Sequence, residues 1–257
     1  MDNRKWRTIT SELERGIISY RFLICLIGCA VLVVLGSWEK FFLTKDVIAD
    51  GLAPGYHLSM VLNVLKSEMT VFVIPILSTL PYGGDFLEEY KSGFDRFLML
   101  RTSRKKYVIS KVLTTGLSGS IGIFSGICMI TGLLTLVFKP MEVIDAKETG
   151  RLLTEILRYS LIASLLGNLW GSMGALLGVL YRNAYMAYGG PFLVNYLLII
   201  LFTRYFPKLY VLNPREWLLQ EHYGSPDPYV IVILLTEICI IIQLLEGIAI
   251  WKRIKQS

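Results

Sequence analysis

The sequence predicts an all-α membrane protein with six transmembrane helices and both termini inside. Three observations carry this. Hydrophobic residues make up 54% of the 257 and charged residues 18%, with a mean hydropathy of +0.55, whereas soluble domains carry about a quarter charged residues. The apolar residues are gathered into six runs: Phe22–Trp38, Val61–Tyr82, Val112–Phe138, Tyr159–Tyr181, Ala184–Thr203 and Tyr229–Trp251. A hydrocarbon core of roughly 30 Å takes about 20 helical residues, which these runs supply. Finally, with the N-terminus inside, sixteen Lys and Arg residues fall on the inner side and ten on the outer side, the bias expected of cytoplasmic loops. Residues 1–257 read as one transmembrane domain in the cytoplasmic membrane.

Taken in order, residues 1–21 form an amphipathic helix at the inner interface. Trp6, Ile9, Leu13, Ile17 and Tyr20 recur at helical spacing, while Arg4, Lys5, Arg7, Glu12, Glu14 and Arg15 take other faces. Such a helix lies in the interface plane with Trp6 as anchor, or stands solvated in the cytoplasm. Basic residues precede the first run and no small-residue cleavage site follows it, so that run is expected to remain in the protein. In the second run Lys66 and Glu68 lie near the start and Pro75 further on.

Small residues line the third and fourth runs. Gly116, Gly119, Gly122 and Gly126 share about a third of the third helix, and Ser160, Ala163, Gly167, Gly171, Gly174 and Gly178 form a narrow seam on the fourth. Helices in lipid associate by close backbone approach, so the seam serves static packing within the chain or a sliding, dimerising surface. Gly189-Gly190-Pro191 predicts a kink in the fifth run, because proline removes a helical hydrogen bond. The outer segment 204–228 holds Tyr210, Leu212, Trp217 and Leu218 and is apolar enough to re-enter the outer leaflet under a protein cover. Cys25, Cys29, Cys128 and Cys239 all fall in the runs and read as small buried hydrophobes, not as disulfides or metal ligands.

Chemistry within the chain is sparse. Gly116-Leu117-Ser118-Gly119 matches a protease-type G-x-S-G motif, but the two histidines, His57 and His222, fall in outer loops, away from any serine in a span. Glu88-Glu89 has no intramembrane histidine to complete a metal site. No phosphate-cradling Gly-Lys-Ser/Thr motif occurs, so no catalytic residue, metal or cofactor is assigned to this chain, and any ATP and magnesium belong to a partner. The net charge of +6 sits where anionic lipid attracts it and calls for no nucleic acid. Two acids remain in the sixth run. Glu237, well inside it, is a candidate for a cavity or translocation role, or a neutral hydrogen-bonding tie between helices. Glu246, on the opposite helix face, is expected to reach a basic inner residue.

The most informative stretch is Asp85 to Lys111, DFLEEYKSGFDRFLMLRTSRKKYVISK. Phe86, Tyr90, Phe94, Phe97, Leu98 and Arg101 follow a 3.6-residue period and predict one amphipathic helix, ahead of a basic turn through Arg104, Lys105 and Lys106. The series Glu88, Glu89, Gly93, Phe94, Leu98, Ser103, Arg104, Tyr107 and Lys111 resembles the cytoplasmic coupling loop of exporter-type permeases of ATP-binding-cassette transporters, the small six-span bacterial kind. Thr102 stands where that family often has proline. The resemblance implies an elbow helix over 1–21, a coupling loop over 85–106, a second permease subunit, identical or not, and separate ATP-binding-cassette ATPase subunits. It also implies a peptide, lipid-like or drug-like cargo. The residues placed against the ATPase are Glu88, Glu89, Tyr90, Gly93, Phe94, Phe97, Leu98, Arg101 and Arg104. The alternatives are a stand-alone carrier or substrate-capture subunit and an intramembrane enzyme.

Overall fold

A computed structural model describes residues 3–40, 52–143, 145–219 and 228–256. Among these the regular structure is helical: α1 (Asn3–Ile17), α2 (Tyr20–Gly36), α3 (Tyr56–Leu65), α4 (Glu68–Leu77), α5 (Asp85–Ser92), α6 (Phe94–Arg101), α7 (Arg104–Phe138), α8 (Ala146–Tyr181), α9 (Ala184–Arg204), α10 (Pro214–Leu219) and α11 (Pro228–Gln256). Four of them, α7, α8, α9 and α11, are long and apolar enough to cross a membrane, and the number rises to six if each bent pair is one span.

The helix ends follow from local chemistry. Ser19 caps α2 by accepting the Phe22 N–H, Asp145 caps α8 by accepting from Lys147 and Glu148, and Asn183 caps α9 by accepting from Tyr185. Each satisfies backbone donors that an uncapped helix would leave orphaned. The α8–α9 turn is short because Arg182 adopts a left-handed conformation, φ 56°.

α8 is the hub, packed against α7, α11, α9, α3 and α4. Its small-residue seam points inward and is shared out among neighbours. A Cβ on Gly167 would stand 2.7 Å from the Gly119 carbonyl oxygen of α7, and one on Gly171 would stand 3.3 Å from the carbonyls of Ser78 and Thr115. Gly174 and Gly178 lie against Ala187 of α9. The glycines of α7 divide likewise, with Gly119 facing α8 while Gly122 and Gly126 face Cys25 and Cys29 of α2.

Two expectations are corrected. The second run is not one helix: α3 and α4 meet at 73° across Lys66-Ser67. Two charges interrupt the run there and find partners on different neighbours, Lys66 with Glu155 at 3.1 Å and Glu68 with Arg215 at 2.6 Å, while the Ser67 and Thr70 hydroxyls donate to the freed Val64 carbonyl. The bent pair still travels the length of the bundle. It begins where His57 meets Glu142 past the end of α7, and leads to Asp85, which meets Arg21 at the start of α2. The fifth run forms one helix, α9, with Gly189-Gly190-Pro191 inside it. The Ala187 carbonyl that Pro191 cannot bond faces Gly174, whose missing side chain makes room for it. Among the cysteines, Cys128 is exposed on the bundle surface, whereas Cys25, Cys29 and Cys239 are buried.

In the outer segment, α10 turns Trp217 and Leu218 into the core, and the Trp217 indole donates to the Val211 carbonyl at 2.8 Å. Residues 220–227, with His222, lie outside the described residues, as do the side chains of Trp6 and Ile9.

Gly174→Ala should lower stability by about 1–3 kcal/mol, because its Cβ would stand 2.5 Å from backbone oxygen in a packed interior. Gly132→Ala, with nothing within 4 Å of its Cβ, should be neutral or slightly stabilising. Thermal unfolding of the two variants in the same detergent checks the difference.

Candidate functional site

Three helices converge at the end of the bundle that carries α5 and α6. On α1, Glu12 and Arg15 are three residues apart and share a face. On α7, Tyr107 and Lys111 are four apart and do the same, with Lys111 roughly 10 Å along the helix from Arg104. On α5, Asp85, Glu88 and Glu89 follow that spacing, and Tyr82 lies just before the helix. Burial of this set is nearly complete: Lys111 is 0% exposed, Tyr107 1%, Glu89 2%, Tyr82 2% and Glu12 7%.

The geometry accounts for every polar group that matters. The Lys111 ammonium donates to Glu12 Oε2 at 2.8 Å, to the Tyr82 hydroxyl at 2.6 Å and to Glu89 Oε1 at 2.7 Å. An ammonium has three protons, and here all three are used. Arg15 donates to Glu89 Oε1 at 2.6 Å, the Tyr107 hydroxyl donates to Glu89 Oε2 at 2.9 Å, and the Tyr82 hydroxyl donates to Glu12. The Tyr82 and Tyr107 rings also present their faces to the ammonium, at 5.1 and 5.5 Å. Two cations and two carboxylates leave the cluster neutral, which is what a low-dielectric site demands.

A second tier lies toward solvent. Arg21 at the foot of α2 donates to Asp85 at 2.7 Å and to both oxygens of Glu88, at 2.7 and 2.9 Å. Burial pushes the Asp85 carboxyl up to about 6, more than Arg21, Lys111 and Arg15 pull it down. Below the cluster, Phe86, Tyr107, Val108, Val179, Ile250 and Ile254 form a small apolar core that joins α5 to α7, α8 and the end of α11. Both α1 and the α11 C-terminus therefore sit at the α5–α6 end.

The predicted contact residues divide between inside and outside. One amphipathic helix was expected from Phe86 to Arg101, but Gly93, at φ 73°, ends α5 and starts α6. Beyond that break the periodic face is not continuous. Phe86 is buried and stacks on Tyr90 at 6.1 Å, and Leu98 is half-buried against the small apolar core. Phe94 and Phe97, at 46% and 68% exposed, project outward with Glu88 and Arg104. Glu89 is turned into the ion cluster, away from any partner surface. The Arg101 side chain lies outside the described residues.

Elsewhere, Glu237 is exposed on the outer face of α11, so it does not tie helices of this chain together. Glu246 is fully buried, with the Thr115 and Ser172 hydroxyls beside its carboxyl. The expected ion pair to a basic residue is not formed, because α11 turns that face into the α7–α8 core. Ser118 is also buried and donates to the Thr115 carbonyl at 3.0 Å, while His57 is committed to Glu142 at the opposite end, its Nδ1 2.6 Å from Oε1.

The sequence places Glu12 only among the polar residues of the first helix and Lys111 only in the loop series, and it gives Tyr82 no role beyond ending an apolar run. The available signal was a lysine inside the apolar stretch Tyr107-Val108-Ile109-Ser110-Lys111-Val112-Leu113, where a cation demands a named counter-charge.

No family model matches the chain. It is similar to the uncharacterized protein YybM of Bacillus subtilis (strain 168), at 21% identity over 214 residues covering 78% of this chain and 81% of that protein.

Two predictions follow from the cluster. Lys111→Met should destabilise the protein by about 3–5 kcal/mol, since it strands buried carboxylates. Adding Glu12→Gln and Glu89→Gln to Lys111→Met should recover part of the loss, as read by thermal unfolding in detergent. The Asp85 carboxyl, raised to about 6 from an ordinary 3.8, binds a proton more tightly in the folded state. Its contribution is thus fully present below pH 3.8 and lost as pH rises through 6. Asp85→Asn should match wild type near pH 4 and exceed it near pH 7.5 by on the order of 2–3 kcal/mol, measured as the difference between the two unfolding curves.

Proposed function

We propose that this chain is the permease subunit of an ATP-driven exporter, crossing the cytoplasmic membrane six times with both termini inside. It pairs with a second permease subunit and draws on separate ATP-binding-cassette ATPase subunits, which bind ATP and magnesium. On this reading the bent pairs α1–α2 and α3–α4 are an elbow with its span and a broken span. The chain itself catalyses no reaction, and its cargo is peptide, lipid-like or drug-like.

The observation that carries the reading is the pairing of an exposed aromatic helix with a buried anchor. α6 presents Phe94 and Phe97 outward. It is joined through Gly93 to α5, whose Glu89 is bound to Lys111 of α7 and Arg15 of α1. Aromatic anchors of this kind fill a groove on a partner, and a push on α6 then reaches the long helices through a rigid polar joint. The outward position of Glu237 on α11 suits a pathway enclosed between two permease halves.

Phe94→Ala combined with Phe97→Ala should leave the protein folded and inserted but cut association with the ATPase, at about 2 kcal/mol or more for such anchors. Co-purification in mild detergent, followed by ATPase and transport assays, tests this. Normal pull-down and transport by the double variant would sink the reading.

A further inference from the structure

A groove of about 690 Å³ lies at the α5–α6 end of the bundle, between α7 and α11. Its walls are aliphatic, formed by Val112 and Leu113 on one side and Ile240, Leu244 and Ile248 on the other. Gly247 lies at its floor, where a Cβ would make ordinary contact with Val112 at 3.6 Å. The groove is open along the bundle surface, among side chains that a membrane would cover.

Its mouth has a different chemistry. Lys105 from the first turn of α7 and Lys252 and Lys255 from the last turns of α11 line the same groove. All three are exposed, and none forms an ion pair among the described residues. Trp251 lies among them, with the Lys255 ammonium 5.7 Å above its ring. The mouth also receives the first turn of α7, which has no acidic residue and no side-chain cap, so its free N–H groups add to the positive field.

An aliphatic channel that ends in three unpaired ammonium groups and an indole is complementary to one kind of molecule. We propose that this groove binds an anionic phospholipid, with an acyl chain along α7 and α11 and the phosphate held by Lys105, Lys252 and Lys255. A second transmembrane helix would fill the aliphatic part but would not neutralise the mouth, whereas a lipid with a charged headgroup does both. The site is independent of the ATPase-docking face, because Phe94 and Phe97 are not among its lining residues.

The test is titration of the purified full-length chain, in neutral detergent, with dioleoyl phosphatidylglycerol or dioleoyl phosphatidylcholine, counting bound lipid by native mass spectrometry. Phosphatidylglycerol should bind at least about ten-fold more tightly, given the usual contribution of each lysine near an anionic headgroup. Lys105→Gln, Lys252→Gln and Lys255→Gln together should abolish that preference. The matched control Lys139→Gln, Lys147→Gln and Lys208→Gln, at the opposite end, should keep it. Leu244→Trp, which fills the groove and leaves the lysines in place, should weaken both lipids. Glycerol 3-phosphate at the same concentration should not displace the lipid; if it does, the site reads a free phosphate and the proposal falls. Equal binding of both lipids, an unchanged preference in the lysine variant, or a lipid-free dimer that buries the groove would each overturn it.

Discussion

One buried ammonium constrains the α5–α6 end of this protein. Lys111 is completely enclosed, and a cation in that setting must be neutralised and have each proton bonded, or it costs several kcal/mol. Its three partners come from two separate stretches of chain: Glu12 on α1, and Tyr82 and Glu89 just ahead of and within α5. Bringing Glu12 within reach obliges α1 to lie against α7. That approach in turn needs a small residue, and Gly16 supplies it: a Cβ there would stand 3.3 Å from the Tyr82 ring and 3.6 Å from Ser118. The bend of 53° between α1 and α2 is the geometric consequence, since α1 turns aside to reach Lys111 while α2 continues along the bundle.

A different kind of contact holds the middle of the bundle. Gly119 of α7, Gly167 and Gly171 of α8, and the Ser78 carbonyl at the end of α4 meet backbone to backbone. Such contacts tolerate almost no displacement, because any added atom or slide meets main chain. The ion cluster differs, since its bonds are made by side chains, each directed at a named partner. The bundle is therefore held by backbone contact where glycines meet and by directed side-chain bonds where Lys111 is held. Beyond the cluster, Gly93, at φ 73°, joins α5 to α6 and has nothing among the described residues within 4 Å of where a Cβ would stand.

Much of this was legible in the sequence, and the reasons differ by element. Long apolar runs specify helices directly, so α7, α8, α9 and α11 could be read from length and hydropathy. The seam on α8 was visible because glycine spacing maps onto a helix face, although which neighbour each glycine meets was not. The break at Lys66-Ser67 was only hinted at by two charges, because whether charges break a helix or snorkel depends on partners as distant as Glu155 and Arg215. Gly93 was misread because its left-handed conformation leaves no trace in a periodicity count: the apolar residues on either side keep their spacing while the face they share is split. Glu12 and Tyr82 were invisible for a deeper reason. Their role exists only through contacts of 29 to 99 residues' separation, and nothing local marks them as partners of Lys111.

The chemistry of the cluster also bears on why charges stand here at all. Apolar residues of similar volume often stabilise a buried site as well as an ion pair does, so stability alone does not account for two carboxylates, a lysine and an arginine. What polar partners add is direction. Lys111 can be satisfied by only one arrangement of α1, Tyr82 and α5, whereas an apolar cluster would accept several. Glu89 makes that specificity mechanical, because it receives Lys111, Arg15 and Tyr107 at once. A rotation of α5 about its axis would therefore break bonds to α1 and α7 together. On the proposed reading, a partner pressing on α6 cannot shift α5 independently of those helices. The movement is either refused or passed on to both, and that obligation is what a coupling joint requires of its residues.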